Sequence, residues 1–323
     1  MKILANDGID SVGKKLLEDE GITVVTEKVK QEDLINYLKD GNFDGIIVRS
    51  ATKVKSDIIQ SCPGIKLIGR AGVGLDNIDV AKAQEQGMVV LNTPDSSSQS
   101  VAELVFAHFY SLSRFLQASH ADMPQKGTNQ FNELKKAYSA GIELKGKTLG
   151  VIGFGRIGQA VAKIGIGSGM KVLAYDPFIK AVELDLDLFG IGKIKLEINT
   201  CNFNDLLIGS DYITLHVPHK EGATPLIGAD QIAKMKKGVV LVNAARGGVI
   251  DEAALINALD SGQVAGAGLD VFLNEPSPAG ALLSHPKVSA TPHIGASTVE
   301  AQERIGVEMA KKIIDFYKHY KRK

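Results

Sequence analysis

The stretch Lys147–Gly158, KTLGVIGFGRIG, decides the fold. Its first half holds TLGVI, an apolar run of strand length, and its second half places three glycines in the pattern GxGxxG. The segment that follows, RIGQAVAKIG, has helical spacing. Strand, glycine turn and helix in this order give the pattern its physical meaning, the opening unit of a dinucleotide-binding sheet. Gly153 permits the tight turn, Gly155 lets a pyrophosphate approach the backbone, and Gly158 allows the helix to pack closely on the strand. Amides at the helix start, those of Arg156 and Ile157 among them, then meet phosphate with the favourable end of the helix dipole.

Asp176 ends the next strand, KVLAY, about 20 residues past the glycines, where this fingerprint puts an acidic residue. A carboxylate there accepts hydrogen bonds from ribose hydroxyls and repels a 2′-phosphate, which selects NAD over NADP. The other reading is that Asp176 caps the turn at Pro177 and meets no ligand.

The same alternation extends in both directions. In the first third, KILAN, ITVVTE, GIIVRS, KLIGRAG and MVVLNTP read as strands, separated by amphipathic stretches such as SVGKKLLEDE, EDLINYLK and NIDVAKAQEQG, the last closed by Gly87. This predicts a complete doubly wound domain. After the polar break LNTPDSSSQS, the segment SVAELVFAHFYSLSRFL is too apolar for a surface helix and predicts one packed between elements on the way into a second domain. HADMPQKGTNQFNELKKAYSAGIELKG has weak periodicity and predicts mostly loop. The second cycle continues through KVLAYDP, DYITLHVP, GVVLVNAARGG, QVAGAGLDVF and KVSATPHIG. Residues 181–202 exceed what a βα connection needs and read as an insertion of no assigned role. STVEAQERIGVEMAKKIIDFYKHY begins with a Ser-Thr cap and keeps an apolar stripe, the pattern of a closing helix.

Composition narrows the classes. The 323 residues suffice for two domains, and 44% apolar with 23% charged residues is ordinary for a globular chain. Lys plus Arg equals Asp plus Glu at 37 each, so bulk charge gives no footprint for nucleic acid or an anionic membrane, and the basic ending KHYKRK reads as a solvated helix end. Cys62 and Cys201 have neither metal-ligand spacing nor a disulfide framework, so no metal site is expected. No apolar run approaches the roughly 20 residues of a spanning helix, and MKILAND lacks the features of a signal peptide, so a cytoplasmic location is expected.

Three polar residues stand at the ends of later apolar runs: Arg246 in VVLVNAARGG, Glu275 in GLDVFLNEP and His293 in VSATPHIGAST. A guanidinium presents a planar fork of donors suited to holding a carboxylate and polarising a neighbouring carbonyl. A histidine with a carboxylate partner is an acid and base. With GFGRIG upstream, the order and surroundings of these residues resemble the D-isomer-specific 2-hydroxyacid dehydrogenase family over nearly the whole chain.

That resemblance implies an α/β fold of two doubly wound parallel-sheet domains. A Rossmann NAD-binding domain, residues 99–294, would be inserted in a flavodoxin-like substrate-binding domain made of 1–98 and 295–323, because the last helix returns to the first domain. It implies NAD as cofactor and a homodimer through the cofactor domains. His293 would take the hydroxyl proton as hydride leaves C2, Glu275 would stabilise the imidazolium, and Arg246 would bind the substrate carboxylate. His216, Val217, Pro218, Ala244, Asp270, His293 and Gly295 would line the cofactor site. On its own His216 reads as a structural histidine, and Asp270, placed by resemblance near the carboxamide, could equally tie down a loop.

The first domain carries GRAGVGLDNID, whose backbone amides at Val73 and Gly74 can form a nest for a carboxylate. Arg49, followed by Ser50 in VRSATK, and Arg70 in GRAG end strands at the edge where doubly wound folds bind ligands. Two guanidiniums there exceed what one carboxylate needs and suit a phosphorylated 2-hydroxy acid, unless they pair with structural carboxylates. Asn92 and Ser96–Ser98 are further lining candidates, and Lys135 or Lys136 loosely matches a basic residue that family members send to the neighbouring subunit. The rivals are a glyoxylate or hydroxypyruvate reductase, or a related 2-hydroxyacid dehydrogenase, with the same machinery and no phosphate site, and an NAD-sensing binding protein of the corepressor type. Longer members append regulatory domains that sense serine, so inhibition of that kind is not expected here.

Overall fold

The computed structural model describes residues 1–220 and 222–320. Lys321, Arg322 and Lys323, the end of the basic KHYKRK run, lie outside the described residues. The chain divides into two compact units, Met1–Ser98 with Ala296–Lys323, and Gln99–Gly295. The return to the first unit starts at Ala296, against residue 295 in the division the resemblance implies.

In the first unit, β1 (Lys2–Ala5), β2 (Thr23–Val25), β3 (Gly45–Val48), β4 (Leu67–Arg70) and β5 (Val89–Asn92) form a parallel sheet of order β2-β1-β3-β4-β5. This is the flavodoxin-like winding, with ligands expected at the carboxyl ends of the strands. One face buries Leu34, Leu38, Ile58 and Ile59. The other buries Leu17 with Ile305, Met309 and Ile313 of the closing helix Val299–Tyr320. That helix is capped by Thr298, whose Oγ1 accepts from Ala301 N at 3.1 Å. It lies directly on the helix Ser11–Asp19, since a β-carbon on Gly13 would sit 2.5 Å from the carbonyl group of Gly306.

The second unit contains β6 (Thr148–Ile152), β7 (Lys171–Tyr175), β8 (Ala181–Leu188), β9 (Gly192–Asn199), β10 (Tyr212–Leu215), β11 (Val239–Asn243), β12 (Val264–Leu269) and β13 (Val288–Ala290). Six of them make a parallel sheet of order β13-β12-β11-β10-β6-β7. The winding goes from β6 outward to β7 and then crosses to β10 on the other side. The switch point therefore lies between β6 and β10, and folds wound this way bind ligands at the carboxyl ends there. The helix Ser98–Arg114 buries Val101, Val105, Phe106 and Phe109, as its apolar composition demands.

The insertion at 181–202 is mainly the antiparallel hairpin β8–β9. Leu184 is buried and Val182 and Ile198 pack beside it on the core, while Phe189 and Ile191 at the tip are exposed. One expectation fails. The segment read as mostly loop, residues 120–146, takes in most of one helix, Leu116–Lys126, and all of another, Phe131–Ala137. The first buries no residue and the second only Leu134, so there was no apolar stripe to reveal them. Local polar bonds support them instead: Asp122 accepts from Lys126 Nζ and from Tyr138 Oη, each at 2.7 Å. No described helix is long and apolar enough to cross a membrane.

Candidate active site

The glycine turn after β6 has the shape that the sequence requires. Gly153 adopts φ +91°, and a β-carbon on it would lie 2.5 Å from the carbonyl oxygen of His216, so only glycine fits beside the β10 turn. A β-carbon on Gly158 would meet Gly153 O at 2.1 Å. At Gly155 it would meet nothing within 4 Å, so the turn has one open side. The helix Arg156–Gly167 begins there with no side-chain cap. Open backbone at an uncapped helix start fits a pyrophosphate.

Asp176 caps the turn at Pro177 and also contacts the glycine turn. Its Oδ1 accepts from Phe178 N at 2.9 Å and Ile179 N at 3.2 Å, which caps the turn at Pro177. Its Oδ2 accepts from Phe154 N at 2.9 Å, which ties the carboxylate to the glycine turn. A carboxylate offers about four acceptor positions, so Oδ2 keeps one for a ribose hydroxyl. The His216 ring is anchored at one nitrogen. Nε2 lies 3.0 Å from Thr214 Oγ1, burial pushes its pKa down to about 3, and the ring is neutral. Its backbone and Val217 border the glycine turn, with Pro218 exposed just beyond.

The ends of the neighbouring strands β11, β12 and β13 carry the three polar residues. Buried Asn243 shapes the first turn, its Nδ2 donating to Arg246 O at 2.8 Å and its Oδ1 accepting from Ala245 N at 3.0 Å across Ala244. Arg246 Nη1 donates to Ala245 O at 2.6 Å. Gly247 presses this turn on the next, since a β-carbon there would lie 1.9 Å from Phe272 O. In that second turn Glu275 Oε1 accepts from Phe272 N at 2.9 Å. Its Oε2 lies 2.8 Å from Nδ1 of His293. Burial pushes the Glu275 carboxyl up, but hydrogen bonds from His293 and Phe272 N, with the charges of His293 and Arg246, outweigh it and hold the group below its ordinary range.

His293 has φ +55°, a left-handed conformation uncommon outside glycine and asparagine. Asp270 holds that turn. Its Oδ1 accepts from Thr291 Oγ1 at 2.7 Å and Ile294 N at 2.8 Å, and its Oδ2 from Gly295 N at 2.8 Å. Asp270 is 1% exposed, so the loop-tying alternative describes its contacts.

In the first unit, Val48 pairs with Arg70, so Arg49 and Arg70 leave adjacent strands at one edge. No described carboxylate pairs with the Arg49 guanidinium. The Arg70 guanidinium folds over Gly72, and Ser50 is exposed next to Arg49. Neither Val73 nor Gly74 donates its amide within the described chain, which suits a nest, and Asn92 braces the turn by donating to Val73 O at 2.7 Å. Ser96 is engaged with Glu308. Lys135 and Lys136 are exposed on their helix. Sequence reasoning missed Asp7, whose Oδ2 accepts from Arg49 N at 2.7 Å and Thr52 N at 3.0 Å, and Asn77, whose Nδ2 donates to Arg49 O at 2.7 Å. A polar pair at a strand's end, in ANDG, was the available signal for Asp7.

Comparison with known proteins gives the family. Residues 106–295 match the family model for the D-isomer specific 2-hydroxyacid dehydrogenase, NAD binding domain. The chain is 43% identical over 316 residues to hydroxypyruvate reductase of Thermotoga maritima, covering 97% of each. It is 41% identical over 318 residues to D-3-phosphoglycerate dehydrogenase of Homo sapiens, covering 98% of this chain and 56% of that protein. The chain thus spans little more than half the length of the human phosphoglycerate dehydrogenase and of similar curated relatives. The solved structure of NAD+-bound 3-phosphoglycerate dehydrogenase from Entamoeba histolytica superposes with a TM-score of 0.78 at 31% identity, covering 98% of this chain and 95% of that one. The chain belongs to the D-isomer specific 2-hydroxyacid dehydrogenase family, and its second unit is that family's NAD-binding domain.

Proposed function

We propose that this protein oxidises 3-phospho-D-glycerate to 3-phosphohydroxypyruvate with NAD, the first step of serine synthesis. The observation that carries the substrate choice is Arg49, whose guanidinium has no carboxylate partner among the described residues and leaves the sheet beside Arg70. Two always-charged planar donors suit a phosphate ester. Val73 and Gly74 supply amides, with Ser50 nearby.

NAD, when bound by Gly153, Gly155, Arg156, Ile157, Gly158 and Asp176, supplies the hydride acceptor. The proton path follows from the histidine's pairing. Nδ1 faces Glu275, so Nε2 is the nitrogen left to take the C2 hydroxyl proton and to return it in the reverse direction. Ionised Glu275 stabilises the imidazolium so formed. Arg246 holds the substrate carboxylate and polarises the C2 oxygen.

A second reading is supported by the Thermotoga maritima relative, which matches end to end: a hydroxypyruvate reductase using the same catalytic set. Arg49→Ala distinguishes the two, because a phosphate role predicts loss of phosphoglycerate turnover with little effect on unphosphorylated acids. The exposed apolar side chains Leu116, Met123 and Phe131 support a homodimer through the cofactor unit. Two free cysteines support a reducing, cytoplasmic setting.

A further inference from the structure

Behind the His293 turn runs a buried polar chain that starts on a different element. His108, 2% exposed on the helix Ser98–Arg114, has Nδ1 2.9 Å from Ser289 Oγ and Nε2 3.2 Å from Thr291 Oγ1. The directions of these bonds are determined. Thr291 gives its single hydroxyl hydrogen to Asp270 Oδ1, which also accepts from Ile294 N. Thr291 Oγ1 must then accept from His108 Nε2–H, and His108 Nδ1 accepts from Ser289 Oγ–H. Burial pushes the His108 imidazole down despite the Asp270 charge, which keeps the ring in the neutral form that this pattern needs.

We infer that His108 and Thr291 are positioning residues for the reaction, holding Asp270 and through it the left-handed turn that presents His293 to Glu275. The inference rests on His293 as the proton carrier proposed above. Asp270 grips the turn on both sides of the histidine, at Thr291 on one side and at Ile294 and Gly295 on the other. The conformation at φ +55° is costly for histidine and persists only when its surroundings fix it. With its hydrogen directed by His108, the Thr291 hydroxyl can point only at the carboxylate. Without that donor it can rotate, and the hold on His293 relaxes.

Four variants test this: His108→Leu and Thr291→Val remove the hydrogen bonds, whereas His108→Gln keeps a donor near Nε2 and Thr291→Ser keeps the hydroxyl. His108→Leu and Thr291→Val are expected to lower kcat by about 10- to 100-fold, the range for small misplacement of a reacting group, with KM for NAD changed less than about threefold. His108→Gln and Thr291→Ser are expected to recover most of the loss. Imidazole NMR of ¹⁵N-histidine protein, with the His293 signals identified by their absence in His293→Ala, gives a readout independent of turnover. The His293 signals are expected to shift in the two impaired variants and stay close to wild type in the two conservative ones. Unchanged His293 signals in folded His108→Leu and Thr291→Val overturn the inference. If His293→Ala itself retains turnover, the assignment of the proton carrier fails instead, and the NMR comparison still judges the positioning.

Discussion

Nδ1 of His293 lies 2.8 Å from Oε2 of Glu275, and this contact decides which imidazole nitrogen faces substrate. It joins the turns after β12 and β13, so the pair depends on two adjacent strands ending at the same level.

Glu275 is held below the ordinary carboxylate range by His293, Phe272 N and Arg246, in spite of burial. A lowered carboxyl stabilises the charged pair above its ordinary range and loses that contribution only as pH falls through the depressed value. Glu275 is therefore ionised throughout the working range, and Glu275→Gln should lower kcat about 100-fold at every pH tested, with NAD binding retained. A pH series of kcat that brings the variant within a few-fold of wild type would count against the pairing.

His293→Ala should abolish turnover while NAD still binds, as read by calorimetry or quenching of NADH fluorescence. Residual activity above about 1% of wild type would remove His293 from the proton path, since general acid–base catalysis is worth about 100-fold or more.

Asp176 is tied to the glycine turn through Phe154 N, and the proposed function has it hold the ribose as well. Asp176→Ala should weaken NAD by about tenfold or more, combining a lost ribose contact with a loosened turn, and should gain little NADP activity. A variant that binds NADP as well as wild type binds NAD would show that the carboxylate acts only by repulsion.

His216 is buried neutral, with its pKa lowered to about 3. The unfolded histidine binds a proton near its ordinary pKa of about 6.5. Stability is thus fully present above that value and declines as pH falls toward the folded value, by up to about 1.4 kcal/mol per pH unit. Denaturant unfolding at pH 7 and pH 5 should show a smaller acid loss in His216→Gln than in wild type. Equal losses would mean that the buried ring does not govern acid stability.

Much of this was legible in the chain because parallel sheets bury both faces and write their strands as apolar runs. GFGRIG, Asp176 and the three polar residues at the strand ends could be placed for that reason. The helices at Leu116–Lys126 and Phe131–Ala137 could not, since they lie exposed and carry no apolar stripe. Asp7, Asn77 and His108 escaped notice for another reason. Each acts on a residue far away in sequence, 42 positions for Asp7 with Arg49 and 183 for His108 with Thr291, and local spacing carries no record of such pairs.

The most direct measurement is the initial rate of NADH formation with 3-phospho-D-glycerate, D-glycerate and D-lactate, for wild type and Arg49→Ala. Wild type should favour the phosphorylated acid in kcat/KM by about 100-fold or more, as two charge-assisted contacts imply, and Arg49→Ala should lose most of that preference. Equal or better turnover of the unphosphorylated acids by wild type would contradict the phosphate site and favour the reductase.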